Sequence, residues 1–204
     1  MNDPKTFLQP LGGYVLDVIS KLRGREFVPH SLTKLHNINY ARRQTGAKTA
    51  VEIGSFKGVT TKRLSYLFDK VVSVEIDEAL CKHAQNRCRK RKNVTIHLGD
   101  GKEFLADIAP DTDKGLLFLD GHFSGGETGQ GDEPEPILHE LDVIQPHLDN
   151  FCALVIDDFR LFGVDKGWPH KSEVLAKLES VFDGLPWRLA VQYDQILVLR
   201  ENAG

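Results

Sequence analysis

No run of apolar residues in the chain approaches the roughly 20 needed to cross a bilayer, and the opening MNDPKTFLQPLGG has no apolar core of the kind found in secretory leaders. Cysteine is scarce and odd in number. Cys81, Cys88 and Cys152 fit neither a CxxC zinc pair nor a disulfide framework. These absences give the expectation of a cytoplasmic protein in a reducing compartment, with no membrane partner. Charge excess is missing as well: 26 Lys and Arg against 29 Asp and Glu give a formal net charge of −3, so no bulk attraction draws in nucleic acid and none is expected as a partner. The basic run from Arg87 to Lys92 is the local exception. Cationic residues complement the dipole at a helix C-terminus, so the run reads as a solvated helix end. Internal repeats and low-complexity segments are also absent.

What is present suits one soluble α/β domain: 204 residues, 41% hydrophobic and 27% charged, enough to bury a substantial core. Residues 1–47 read as a helical extension. Tyr14, Val15, Val18, Ile19 and Leu22 form an apolar stripe at helical spacing. Pro29, His30 and Ser31 then offer a break and an N-cap for a second helix that stops at Gly46.

From residue 48 to 204 strand and helix alternate. The strand candidates are Thr49 to Ile53, Val71 to Glu75, Val94 to Leu98, Gly115 to Leu119 and Ala153 to Ile156. Helical segments such as Glu78 to Lys90, Glu135 to Ile144 and Lys171 to Phe182 lie among them. That rhythm predicts right-handed βαβ units and a parallel sheet. The runs WRLAVQY and ILVLR are joined by little more than Asp194 and Gln195, so they pair antiparallel. The expected fold is a doubly wound, seven-stranded, mostly parallel sheet closed by an antiparallel hairpin.

The segment TAVEIGSFKGVTT, Thr49 to Thr61, is the most informative in the chain. A buried strand breaks at Gly54 and continues through Ser55 and Gly58 into a helix, which suits a turn that a ligand approaches closely. The third glycine of a dinucleotide fingerprint is missing, which disfavours pyrophosphate. A carboxylate at Glu52 beside the turn suits an ammonium group instead. The segment resembles motif I of the class I S-adenosylmethionine-dependent methyltransferases, and the resemblance extends from about Lys48 to Arg200.

In open α/β sheets ligands bind beyond the carboxyl ends of the strands. Glu75 ends the second strand at a distance suited to ribose hydroxyls, and Asp77 is the better helix cap. Asp100, in HLGDGKEFL, resembles the methyltransferase acid near adenine and equally suits an N-cap, so both roles stay open. Glu52, Gly54, Ser55, Gly58, Glu75 and Asp100 are the candidate cofactor residues.

A second constellation follows. LLFLDGH ends at Asp120, and ALVIDDF ends at Asp157 and Asp158. These strands are expected to be neighbours, and strands about 4.8 Å apart let such carboxylates converge on one hard cation. The pair of motifs resembles the divalent-metal-dependent O-methyltransferases of the catechol and macrocin groups. That resemblance implies that Asp120, Asp157 and Asp158 hold magnesium, which would acidify the acceptor hydroxyl and align it. Asp120 and His122 are the candidate catalytic residues. Where the catechol group has a lysine three residues after its first aspartate this chain has Phe123, which leaves His122 either the base or an ordinary loop residue. The loop from Gly121 to Pro136 is long and glycine-rich, as acceptor lids often are. Trp168 reads as a buried aromatic or one wall of the acceptor pocket.

The expected activity is therefore S-adenosylmethionine-dependent O-methylation of a small hydroxylated acceptor such as a sugar or polyketide-like metabolite. The N-terminal helices serve either as an acceptor lid or as a homodimer interface. The alternative is a methyltransferase-like module that binds cofactor without catalysis.

Overall fold

The computed structural model describes residues 8–120, 136–164 and 167–201. Helices α1 (Leu8–Leu22) and α2 (Ser31–Thr45) precede β1 (Thr49–Ile53), α3 (Val59–Leu64), β2 (Lys70–Glu75), α4 (Glu78–Cys88) and β3 (Val94–Leu98). Then follow α5 (Gly101–Ile108), β4 (Gly115–Leu119), α6 (Ile137–Ile144), β5 (Phe151–Ile156), α7 (Lys171–Val181), β6 (Trp187–Gln192) and β7 (Gln195–Arg200). The strands form one sheet in the order β3-β2-β1-β4-β5-β7-β6. β1 to β5 are parallel, and β7 runs antiparallel between β5 and β6.

Alternation along each strand builds two cores. Val51, Ile53, Val72, Val74, Leu117, Leu119, Leu154 and Ile156 pack on α5, α6 and α7. Ala50, Val71, Leu116, Phe118, Ala153 and Val155 pack with Ile38 and Ala41 of α2 and Leu64 of α3 on the opposite face. Both faces are covered, which explains why the central strands read as continuous apolar runs. The β6–β7 connection is tighter than the sequence suggests. Tyr193 and Asp194 both have positive φ, 49° and 64°, while Gln195 already pairs with Gln192. Two left-handed central residues suit the strand twist of a two-residue hairpin.

The N-terminal helices form as expected, with one correction. The stripe Tyr14, Val15, Val18, Ile19 and Leu22 lies outward, 36 to 83% exposed. The buried face of α1 is instead Pro10, Gly13 and Asp17. A Cβ on Gly13 would lie 2.6 Å from the His30 ring, so only glycine allows this approach to α2. Asp17 accepts hydrogen bonds from the His30 amide (2.7 Å) and the Thr33 hydroxyl, which ties α1 to the start of α2, where the His30 side chain makes no cap hydrogen bond. At the other end Gly46 (φ 70°) closes α2 by donating to Arg42 O.

The basic run is more than a solvated end. Arg87 Nε donates to Lys57 O, Arg91 donates to Ser65 O, and the Arg91 guanidinium lies 4.0 Å from the Tyr66 ring centroid. Cys81, Cys88 and Cys152 are free thiols, and burial pushes the Cys88 thiol up to about 11. No helix among the described residues is long and apolar enough to cross a membrane.

Candidate functional site

The strand order reverses between β1 and β4, so a crevice opens at their carboxyl ends. The Asp120 amide donates to Ile53 O (3.1 Å), which sets Asp120 directly beside the glycine turn. In that turn Gly54 and Gly58 have φ of 89° and 71°, and Phe56 between them has φ 48°. A Cβ on Gly58 would lie 2.8 Å from Ala84 Cα, so this glycine both permits the turn and lets α4 close against it. The Gly54 and Ser55 amides donate to Val74 O, tying the turn to β2.

Glu52 is fully buried beneath this turn. Its Oε2 accepts from Thr61 Oγ1 (2.5 Å) and Ser73 Oγ (2.7 Å), and Ser73 Oγ lies 2.7 Å from Ser55 Oγ. Among the described residues Oε1 has no hydrogen-bond partner. Burial outweighs the two hydroxyl donors and raises the Glu52 pKa to about 7. Glu52 is thus an inward pillar linking β1, β2 and α3, not a carboxylate lining an open pocket.

Glu75 ends β2 and holds the turn from the other side. Its Oε2 accepts from the Phe56 amide (2.6 Å), and its Oε1 accepts from the Asp77 amide (3.1 Å). A carboxylate has about four lone-pair sites, so each oxygen keeps capacity for a further donor. Asp77 caps α4 by accepting from the Leu80 amide. Asp100 caps α5: its Oδ1 accepts from Lys102 and Glu103, leaving Oδ2 outside the cap. The two roles left open for Asp100 therefore do not compete. Gly54, Glu75 and Asp100 stand at the ends of three adjacent strands, and the two carboxylates keep acceptor capacity suited to the hydroxyls and amine of a nucleoside.

On the other side of Asp120, a cavity of about 280 Å³ is lined by Ser31, Lys34, Thr60, Arg63, Asp157 and Asp158, among others. β4 and β5 are neighbours, as expected. Asp158 adopts φ 54°, and its amide donates to Asp157 Oδ1 (2.8 Å), which turns the two consecutive carboxylates toward one point. That point holds Lys34. Its Nζ lies 2.7 Å from Asp157 Oδ1, 2.5 Å from Asp158 Oδ1 and 3.7 Å from Asp194 Oδ2. Arg160 Nη1 also bonds Asp158 Oδ1 (2.6 Å) and Asp194 Oδ2. Burial raises the Asp157 pKa and Lys34 opposes that rise. For Asp158 the Lys34 and Arg160 cations prevail over burial and hold the carboxyl below its usual value.

The divalent-cation expectation for Asp120, Asp157 and Asp158 does not fit this arrangement. Among the described residues no three His, Cys, Asp or Glu side chains group as a metal site, and an ammonium already lies between the two Asp Oδ1 atoms. Sequence reading missed Lys34, Arg160 and Asp194 here. It also missed Arg63, 9% exposed, whose Nη2 has no hydrogen-bond partner among the described residues. His122 and the loop Gly121 to Pro136, apart from Pro136 itself, lie outside the described residues. Trp168 is buried edge-on against Phe162, with ring centroids 5.0 Å apart.

A family model described as ribosomal RNA adenine dimethylase matches residues 35–107, from α2 through most of α5. The match ends before β4, so it bears on the glycine-turn half of the crevice and not on the Asp157–Asp158 half. No curated protein matches the chain by sequence. Among solved structures, a candidate caffeoyl-CoA O-methyltransferase from Staphylococcus aureus is 14% identical, with TM-score 0.59 over 91% of this chain and 90% of its own. The O-methyltransferase TomG from Streptomyces achromogenes, involved in tomaymycin synthesis and solved with S-adenosylmethionine, is 16% identical, with TM-score 0.56 over 90% and 86%. The N-terminal domain of EvdMO1, solved with S-adenosylhomocysteine, is 14% identical, with TM-score 0.53 over 83% and 80%. The fold is that of the class I S-adenosylmethionine-dependent methyltransferases.

Proposed function

We propose that the protein is an S-adenosylmethionine-dependent methyltransferase that methylates a hydroxyl of a small acceptor of the sugar or polyketide-like class. The observation that carries this reading is the left-handed glycine turn of β1 beside Asp120, where the strand order reverses and Glu75 ends the adjoining strand. Gly54 and Ser55 form the methionine side of the donor site, Gly58 shapes the turn, and Glu75 and Asp100 accept from ribose and adenine. Glu52 acts through the turn by fixing Thr61, Ser73 and, through Ser73, Ser55. When bound, S-adenosylmethionine supplies a sulfonium-activated methyl group.

The chain itself then has to orient one oxygen and receive one proton. Asp120 stands between the glycine turn and the cavity, suited to accept a hydrogen bond from the acceptor hydroxyl. His122, two residues further on, is the candidate base by its place in the sequence. Ser31 and Thr60 offer hydroxyls along the cavity wall to a polyol-like acceptor. O-methyltransferase structures among the neighbours support the choice of oxygen as acceptor atom.

Isothermal titration with S-adenosylhomocysteine tests the donor half. Binding is expected, and no heat at ligand concentrations on the order of 1 mM would sink the reading. Incubation with labelled methyl donor and a panel of hydroxylated metabolites tests the rest. Donor binding with no transfer to any hydroxyl compound would favour a cofactor-binding module without catalysis.

A further inference from the structure

We propose that Lys34 is the chain's own cation at the acceptor end. It occupies the position a divalent ion would need between Asp157 and Asp158, so a metal site exists here only in latent form. The inference rests on reading this cavity as the acceptor end, but its geometry stands by itself. A single Nζ lies 2.7 Å and 2.5 Å from the Oδ1 atoms of two consecutive aspartates, with Asp194 Oδ2 at 3.7 Å. An ammonium has three donors and needs oxygen acceptors at such distances. Magnesium needs oxygens at about 2.0–2.1 Å in near-octahedral array and keeps several waters, for which the bridging lysine leaves no room.

Lys34 is not a surface lysine that happened to fold inward. Its side chain is 16% exposed, and the helix that delivers it is fixed on both sides. Asp17 holds the start of α2 through His30 and Thr33. One turn after Lys34, Asn37 Nδ2 donates to Gln192 O (2.9 Å) and Gln192 Nε2 donates back to Asn37 Oδ1 (2.9 Å). Ile38 and Ala41 are buried against the sheet. The backbone cooperates, since the left-handed Asp158 is what turns two adjacent carboxylates onto one ammonium.

The charge count points the same way. Lys34 and Arg160 meet Asp157, Asp158 and Asp194, two cations to three carboxylates, leaving little of the negative excess that holds a hard dication. The device also gives α2 a function: it brings a fixed positive charge to the wall of the acceptor cavity, with two of its three N–H donors held by Asp157 and Asp158.

Manganese serves as the probe, followed by its electron paramagnetic resonance signal as it titrates the full chain. The wild type is expected to bind Mn2+ weakly and without saturation below about 1 mM, whereas Lys34→Met should bind at least about tenfold more tightly. Adding Asp157→Asn to Lys34→Met should abolish the gain. Lys34→Arg, which retains the charge, should stay as unresponsive as the wild type. Saturable Mn2+ binding by the wild type that Asp157→Asn removes would overturn the proposal, even if Lys34→Met failed to fold. Folded Lys34→Met with no gain would overturn it equally. S-adenosylhomocysteine binding to the same wild-type sample separates this result from the functional reading, because loss of that binding would refute the donor site and leave the manganese result unaffected.

Discussion

Glu75 reaches across from the end of β2 and accepts the Phe56 amide at 2.6 Å, so the acid of one strand holds the glycine turn of the next. The turn is thereby shaped before any ligand arrives. Glu75→Ala removes a charge-assisted bond and leaves a partly buried amide unsatisfied, a loss of about 1–3 kcal/mol. Denaturant titration should read that loss, and calorimetry should show S-adenosylhomocysteine binding weakened by about tenfold or more. Undiminished binding by a folded Glu75→Ala protein would remove Glu75 from the donor site.

Gly58 and Gly99 make a matched pair. At Gly58 a methyl group meets Ala84 backbone at 2.8 Å with φ at 71°, whereas at Gly99 nothing lies within 4 Å. Gly58→Ala should cost about 2–4 kcal/mol, the sum of left-handed strain and overpacking. Gly99→Ala should stay within about 1 kcal/mol of the wild type. Equal midpoints for the two variants in urea would contradict this account of the turn.

Glu52 makes stability depend on pH with a definite sign. Its pKa is 4.5 ordinarily and about 7 in the folded chain, so between those values the native state binds more protons than the unfolded state. Its contribution is therefore greatest below about pH 4.5 and is lost as pH rises through about 7. Glu52→Gln removes that proton linkage. The stability of Glu52→Gln minus that of the wild type should grow by roughly 2–3 kcal/mol between about pH 5 and pH 8. A difference independent of pH would show that Glu52 is ionised throughout.

Arg63 is buried, its Nη2 has no hydrogen-bond partner among the described residues, and its pKa is lowered first by burial and then by the nearby Arg87 cation. A buried cation that is incompletely paired weakens the fold. Arg63→Met, which keeps the stem and drops the charge, should raise stability by about 1–2 kcal/mol. Thermal melts in the absence of ligand measure it, and a fall in the melting temperature would mean the guanidinium has a stabilising partner in the native state.

The sheet was legible because its central strands are buried on both faces and bounded by glycines and acids. Thr49–Ile53 and Gly115–Leu119 form strands with the expected limits, and so does the edge strand Val94–Leu98, of which only Ile96 is buried. Legibility failed where small or charged residues do the packing. α1 docks through Gly13 and Asp17, so its apolar stripe pointed to a helix but to the wrong face. Lys34 carries no motif that sets it apart from the other lysines of the chain. The available signal was its spacing: Lys34, Asn37, Ile38 and Ala41 stand at i, i+3, i+4 and i+7, which places the lysine on the buried stripe of α2. Carboxylates at strand ends were found by position alone, but the cation that joins Asp157 and Asp158 came from α2, which no local motif connects to them, and the third acid, Asp194, came from the β6–β7 turn.

β7 lies inside the sheet, between β5 and β6, although it follows both in the chain. During synthesis β5 must therefore wait with one edge bare until residues 195–200 have left the ribosome. A waiting apolar edge invites the wrong neighbour. β6, which emerges just before β7, must also leave the gap that β7 will fill. Ribosomes stalled after Gln192 should thus display an unfinished sheet open to chaperones, and slow codons in this stretch would prolong that exposure.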